Sequence, residues 1–281
     1  MQLKTLDIVC SREELGRIPE GKVLINTINA HSYNVALKDA DFAEALQKGD
    51  YLIPDGASIV KACRWIKAKS QPKERIAGWD LFIHEMERLS LKADAEFQAP
   101  SSNLPDGLPE GGSLPMGEGG GRGSQGSLPM GEGGERGSVV MFMGSSEHVL
   151  QLIRDRCAKD YPNLRVVTYS PPYKPEFSEN DNRQIIEAIN QADPDLLWIG
   201  MTAPKQEKWT YRHWDALNIH CHVGTIGAVF DFYAGTVKRA PLWWQNHSLE
   251  WLYRLLKEPR RMWRRYIIGN VKFLRNIMVV G

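Results

Sequence analysis

The sequence predicts an α/β fold, a Rossmann-like parallel sheet with helices on both faces, followed by a basic C-terminal helical appendage. Three observations predict it. Short apolar, β-branched runs alternate with segments of helical length along most of the 281 residues. A Gly- and Pro-rich stretch interrupts that alternation without ending it. Positive charge is then concentrated after Lys238.

In chain order, Val23 to Ile28 is a β-branched run, Ala30 to Gln47 reads as one or two helices, and Tyr51 to Pro54 is a second short strand. Ala57 to Lys67 and Trp79 to Leu91 are helical. After the interruption come a strand over Val139 to Met143, a helix to Lys159 and a strand over Arg165 to Tyr169. A helix over Glu179 to Gln191, a strand over Leu196 to Met201, a helix to Leu217 and a strand over Ile219 to Val223 complete the body. Buried strands separated by helices of this length predict crossover connections and a parallel sheet covered on both faces.

The interruption is the insert 100–138. From Pro100 to Gly137 it holds thirteen of the chain's 25 glycines and no aromatic residue, Val, Ile or Lys. GSLPMGEGG begins at Gly112 and again at Gly126. Such a composition buries too little apolar surface to offset ordering entropy, so a disordered loop is expected. The Rossmann-like domain then comprises 1–99 and 139–237, and the appendage 238–281.

Composition bounds the function. Hydrophobic residues make up 42% of the chain, enough for a core, and no run of about 18 apolar residues predicts a membrane span. The start lacks a signal-peptide pattern. Cys10, Cys63, Cys157 and Cys221 are scattered without CxxC spacing, which fits reduced thiols in a cytoplasmic protein. Net charge is +1, but Lys238 to Gly281 carries ten Lys and Arg against Glu250 and Glu258, so a mildly acidic body bears a basic tail. Tails of that kind meet phosphates of nucleic acid or lipid.

Ligands of parallel sheets sit beyond the carboxyl ends of the strands. The residues there are Thr27 and Asn29, Pro54-Asp55-Gly56, Gly144-Ser145-Ser146, Thr202 through Lys205, Gln206 and Glu207, and Gly224 through Gly227. Gly144 and Gly227 allow close backbone approach to a ligand, and the helix beginning near Ser146 offers its N-terminus to phosphate. Asp55 admits two readings: a base that takes a proton from an incoming hydroxyl, or the N-cap of the helix that follows.

Metal chemistry is not expected. Asp193 and Asp195 precede their strand, at its amino end, and Asp39 and Asp41 lie within or between helices. His220 and His222 would share a strand face but lack a further ligand pair. In the tail, Pro259 predicts a helix boundary, with one helix near Ser248 to Lys257 and another from Pro259 onward. On the second, Arg260 and Arg264, and Arg261 and Arg265, are i,i+4 pairs beside Met262, Trp263, Tyr266 and Ile267, the profile of a helix on an anionic membrane surface. The competing function is a Rossmann-type nucleic-acid-binding or modifying protein whose tail tracks a phosphate backbone.

Six ordered blocks separate these functions. They are Asn26-Thr27-Ile28-Asn29 with Pro54-Asp55-Gly56; Glu74-Arg75-Ile76-Ala77-Gly78 with Asp80-Leu81-Phe82; Ala203 to Trp209; Phe230-Asp231-Phe232; Val237 to Pro241; and Leu249 to Arg254 with Glu258-Pro259-Arg260-Arg261. In this order they resemble the WecG/TagA/CpsF family of bacterial glycosyltransferases, glycosyltransferase family 26. The resemblance implies an inverting transfer from a UDP-sugar to a sugar on a polyprenyl diphosphate, at the cytoplasmic face of the membrane, in making teichoic-acid-type or other surface polysaccharides. The donor would carry N-acetylmannosamine, its uronic acid or a hexose, with no metal, no cofactor and no nucleic acid. It makes Asp55 the general base and places Thr27, Asn29, Arg75 and Gln206 around the sugars and diphosphate. Lys205, Gly144, Gly227, Arg239, Arg254 and Arg260 join them as substrate-binding residues. Peripheral membrane attachment follows from the same resemblance, and a homo-oligomer is compatible with it.

Overall fold

The computed structural model describes residues 1–98, 137–247 and 249–280. Six strands form one all-parallel sheet in the order β2-β1-β6-β5-β3-β4. They are β1 (Val23–Ile28), β2 (Tyr51–Pro54), β3 (Val139–Gly144), β4 (Arg165–Tyr169), β5 (Leu196–Gly200) and β6 (His222–Thr225). The interior strands β3 and β5 are buried at every position, as continuous apolar runs must be in a sheet covered on both sides.

Helices α1 (Ala30–Ala36), α2 (Ala40–Lys48) and α3 (Ala57–Trp65) surround the edge pair β1 and β2. On one face lie α4 (Gly78–Gln98), α5 (Glu147–Asp160) and α8 (Gly227–Ala234); on the other lie α6 (Glu179–Ala192) and α7 (Lys205–Arg212). Local chemistry fixes where several start. Asn29 and Ser178 head α1 and α6 with reciprocal capping boxes, while the side chains of Asp39 and Ser146 accept from Phe42 N and Val149 N to start α2 and α5.

Three elements differ from expectation. The last strand begins at His222 rather than Ile219. Ile219 and Cys221 are apolar because they pack into the α6–α7 side of the core, whereas the ladder continues through Gly224, where a Cβ would come 2.2 Å from the Trp198 ring. The helix expected to reach Leu217 stops at Arg212 and is followed by a 3₁₀ turn over Trp214–Ala216. Helix α8 was not anticipated, since glycines flank it; Gly235 closes it at φ 78°, and Val229, Phe230 and Tyr233 bury its inner face. The insert falls on residues outside those described, although Ser138 at its end is buried and accepts a hydrogen bond from Arg165 N at 2.9 Å.

The C-terminal segment is packed into the body. It comprises α9 (Leu242–Asn246), α10 (Glu250–Lys257) and a run with Pro259 in its first turn: α11 (Pro259–Trp263), a π-helical turn over Arg264–Ile268, and α12 (Gly269–Val280). Phe273 and Ile277 of α12 are each 1% exposed, in the same cluster as Leu3, Ile28 and Ile59. The Phe273 ring meets Tyr33 edge-on at 5.5 Å. Asn34 Nδ2 donates to Gly269 O at 2.8 Å and Asn276 Nδ2 to Asn34 Oδ1 at 2.9 Å.

This packing predicts that Phe273→Ala destabilises the protein by about 3–5 kcal/mol, read as a lower denaturant midpoint at unchanged slope. A loss below about 0.5 kcal/mol would mean that α12 is not part of the core.

Candidate active site

Asp55 follows β2 at the carboxyl edge of the sheet, and the local backbone decides between its two readings. The N-cap of α3 is Gly56, and no side chain caps that helix. Asp55 is therefore not spent on capping. Its backbone N–H donates to Ile53 O at 3.0 Å, and Ile76 N donates to Pro54 O at 3.1 Å, which ties the Arg75 loop to the end of β2.

Around the carboxylate the structure assembles a charged cluster from four parts of the chain. Arg75 Nη1 lies 3.3 Å from Glu250 Oε2 of α10, and Arg239 Nε lies 3.8 Å from Glu250 Oε1. All three side chains are less than a fifth exposed. Asp80, in the first turn of α4, accepts from Ala77 N at 2.8 Å and pairs with Arg12 at 3.2 Å. The ring of Phe232 on α8 receives two guanidinium groups, Arg254 at 4.7 Å and Arg239 at 5.9 Å, while Arg239 also lies 4.8 Å from the Trp79 ring. Aromatic faces thus hold the arginines where water is scarce.

The electrostatics follow from this packing. Desolvation pushes the Asp55 carboxyl up to about 6; Arg75 and Arg254 pull it down, and Glu250 and Asp80 push it up. A carboxyl so placed is ionised near neutral pH yet more basic than an ordinary Asp, as a general base requires. Burial also holds Arg239 below its ordinary value, against the opposing pull of Glu250.

A cavity of about 630 Å³ opens from the cluster. Six cationic residues line it, Arg12, Lys61, Arg64, Lys73, Arg75 and Arg239, against the carboxylates of Glu74 and Asp80. Arginine forks suit the paired oxygens of a phosphate, so the excess of cations fits a diphosphate.

The chain belongs to the WecG/TagA/CpsF family of glycosyl transferases. The family's sequence pattern matches residues 6–96 and 130–280, the second stretch beginning within the last residues of the insert. Among similar proteins, one from Bacillus subtilis strain 168 is 25% identical over 244 residues, covering 87% of this chain and 75% of its own length. Another, from Bacillus spizizenii strain W23, is 26% identical over 232 residues, covering 83% and 70%. Both are named N-acetylglucosaminyldiphosphoundecaprenol N-acetyl-beta-D-mannosaminyltransferase.

Within this family framework the remaining site residues take distinct places. Thr27 is half-buried one residue before the end of β1, and Asn29 uses its Oδ1 to cap α1 through His31 N and Ser32 N. Gln206 is 4% exposed; its Oε1 accepts from Met201 N at 3.1 Å and Gly227 N at 3.2 Å, and its Nε2 donates to Glu207 Oε1 at 2.9 Å. It braces the exits of β5 and β6 against each other. Gly227 is required at that brace, because a Cβ there would come 2.1 Å from Met201 O. Glu207 is buried, and desolvation pushes it up to about 7.

Gly144, at φ 121°, makes its close approach to the backbone of Gly200. Lys205 lies against Phe177 and the Lys174 carbonyl, beyond β4. Arg260 is exposed at the start of α11 and makes none of the cluster's contacts described above. His222, once weighed as a zinc ligand, instead bonds Glu85 through Nδ1 and Pro19 O through Nε2, both at 2.9 Å. Among the described residues no three His, Cys, Asp or Glu are grouped to hold a metal ion. Sequence reasoning assigned no role to Glu250, Asp80 or Arg12; the first two lie inside the ordered family blocks, which was the signal available.

The Asp55 environment makes a two-part prediction. The kcat/KM for acceptor should rise with pH through a midpoint near 6 and level off above it, because the ionised carboxylate of the free enzyme is the active form. Asp55→Asn should lower turnover by about 10²–10⁴ while leaving donor binding nearly intact. Wild-type turnover in that variant, or a pH profile without an acid limb near 6, would remove Asp55 from the mechanism.

Proposed function

We propose that this protein is an inverting glycosyltransferase that moves a sugar from a UDP-sugar onto the sugar of a polyprenyl diphosphate. The observation that carries this reading is Asp55, a carboxyl raised by burial and held in the field of Arg75 and Arg254, with Arg75 also lining the cationic cavity. Asp55 takes the proton of the acceptor hydroxyl as its oxygen bonds to the anomeric carbon of the donor. The bond from that carbon to the diphosphate breaks on the opposite face, and its electron pair leaves with UDP. One such displacement inverts the anomeric centre. Charge growing on the departing diphosphate is met by Arg75, Arg239 and Arg254, which the protein holds in place beforehand. Of the three donor classes implied by the family resemblance, N-acetylmannosamine is favoured by the names of the two Bacillus relatives. Family membership also favours this reading over a nucleic-acid-binding protein.

An acceptor on a lipid requires the enzyme to reach a membrane. None of the described helices is long and apolar enough to cross one. Peripheral docking is supported by exposed Trp263 and Ile267 beside exposed Arg260 and Arg264, although Met262 is turned into the protein. Arginines near an anionic surface and apolar groups at its boundary are the two attractions such docking uses.

The test is a panel of UDP-sugars with a short-chain polyprenyl diphosphate N-acetylglucosamine acceptor. UDP should be released only when donor and acceptor are both present. The product should gain one sugar, and its new linkage should have the anomeric configuration opposite to the donor's. Absence of acceptor-dependent UDP release with every donor would overturn the proposal.

A further inference from the structure

Beside the cationic cavity lies a second one of about 390 Å³, bounded by Ser58, Lys61, Ala62 and Trp65 of α3 and by Asn270, Phe273 and Leu274 of α12. Its character is opposite: its walls are almost wholly carbon. Helix α3 separates the two. Ala57, Val60, Lys61 and Arg64 face the cationic cavity; Ser58, Lys61, Ala62 and Trp65 face the apolar one. These are adjacent stripes of one helix at three- and four-residue spacing, and Lys61 stands in both. The stem of Lys61 can lie along apolar surface while its ammonium stays with the charges.

We propose that α3 is the divider of a two-part seat for an isoprenoid diphosphate, with its diphosphate against Lys61 and Arg64 in the cationic cavity, leaving Arg75 and Arg239 to the departing UDP, and the first isoprene units in the groove between α3 and α12. The inference rests on the function proposed above and adds the place where the lipid part of the acceptor is recognised. The cationic cavity alone would suit any diphosphate, and the groove alone would suit any apolar chain. Their sharing of Lys61, in the helix that follows Asp55, suits a molecule that is both. Trp65 and Leu274, 59% and 49% exposed, are the apolar surfaces such a chain would cover. Beyond the groove, Val271, Leu274 and Met278 continue along α12 as an exposed apolar stripe at i, i+3 and i+7. That stripe provides a path along which the rest of a long chain leaves the protein.

The test uses the full chain without membranes, so that docking to a bilayer plays no part. Transfer is compared between two diphosphate-linked sugars, one bearing a short isoprenoid and one a methyl group. The wild type should favour the isoprenoid acceptor in kcat/KM, and Leu274→Glu, at an exposed position, should reduce that preference by about tenfold or more. In the wild-type protein, a photoreactive isoprenoid diphosphate should label Trp65, Phe273 or Leu274, with protection by unlabelled isoprenoid diphosphate and none by phosphatidylglycerol.

A preference unchanged in Leu274→Glu, with label elsewhere, overturns the inference. So does protection by phosphatidylglycerol, which would make the groove a general lipid contact, or burial of Trp65 in a dimer, which would make it a surface between copies. If the wild type transfers sugar to neither acceptor, the proposed function fails and the inference falls with it.

Discussion

Glu250 sits between Arg75 and Arg239, and this contact joins the two halves of the site. Arg75 belongs to the loop after α3, whereas Glu250 and Arg239 come from the C-terminal third of the chain, 175 positions from Arg75 in the case of Glu250. Two guanidinium groups left together in a site less than a fifth exposed would repel each other strongly. A carboxylate between them makes the arrangement tenable and holds their forks toward the cavity. Asp55 feels the whole set, which is why desolvation lifts it without making it fully neutral.

The C-terminal segment is consequently structural as well as functional. Helix α10 brings Glu250 and Arg254 to the cluster, and α12 packs Phe273 beneath α1 and α3. Residues of α1, α3 and α12 therefore share one hydrophobic cluster next to the turn that carries Asp55.

Much of the fold was legible in the sequence because the interior strands β3 and β5 are buried at every position and read as uninterrupted apolar runs. The same rule misplaced β6: Ile219 is apolar for packing against helices, while Gly224 belongs to the ladder because Trp198 needs its space. Helix α8 was hidden because its flanking glycines look like a loop. Asp55 was proposed from its place after a strand and Arg75 from motif order, and the structure brings the two into one charged cluster. Glu250 and Asp80 could not be assigned roles, since their meaning comes from pairings between distant segments that no local spacing encodes. Gln206 was legible as a polar residue beyond a strand, but its engagement with Met201 N and Gly227 N depends on how two loops meet.

The most direct measurement is a double-mutant cycle on kcat/KM with Arg75→Ala, Glu250→Ala and the combined variant. If the ion pair organises the site, the two substitutions are non-additive, with a coupling of about 0.5–3 kcal/mol, and the double variant is hardly worse than the poorer single one. Effects that simply add would show that Arg75 and Glu250 act independently, and would contradict the account of a site closed by the C-terminal segment.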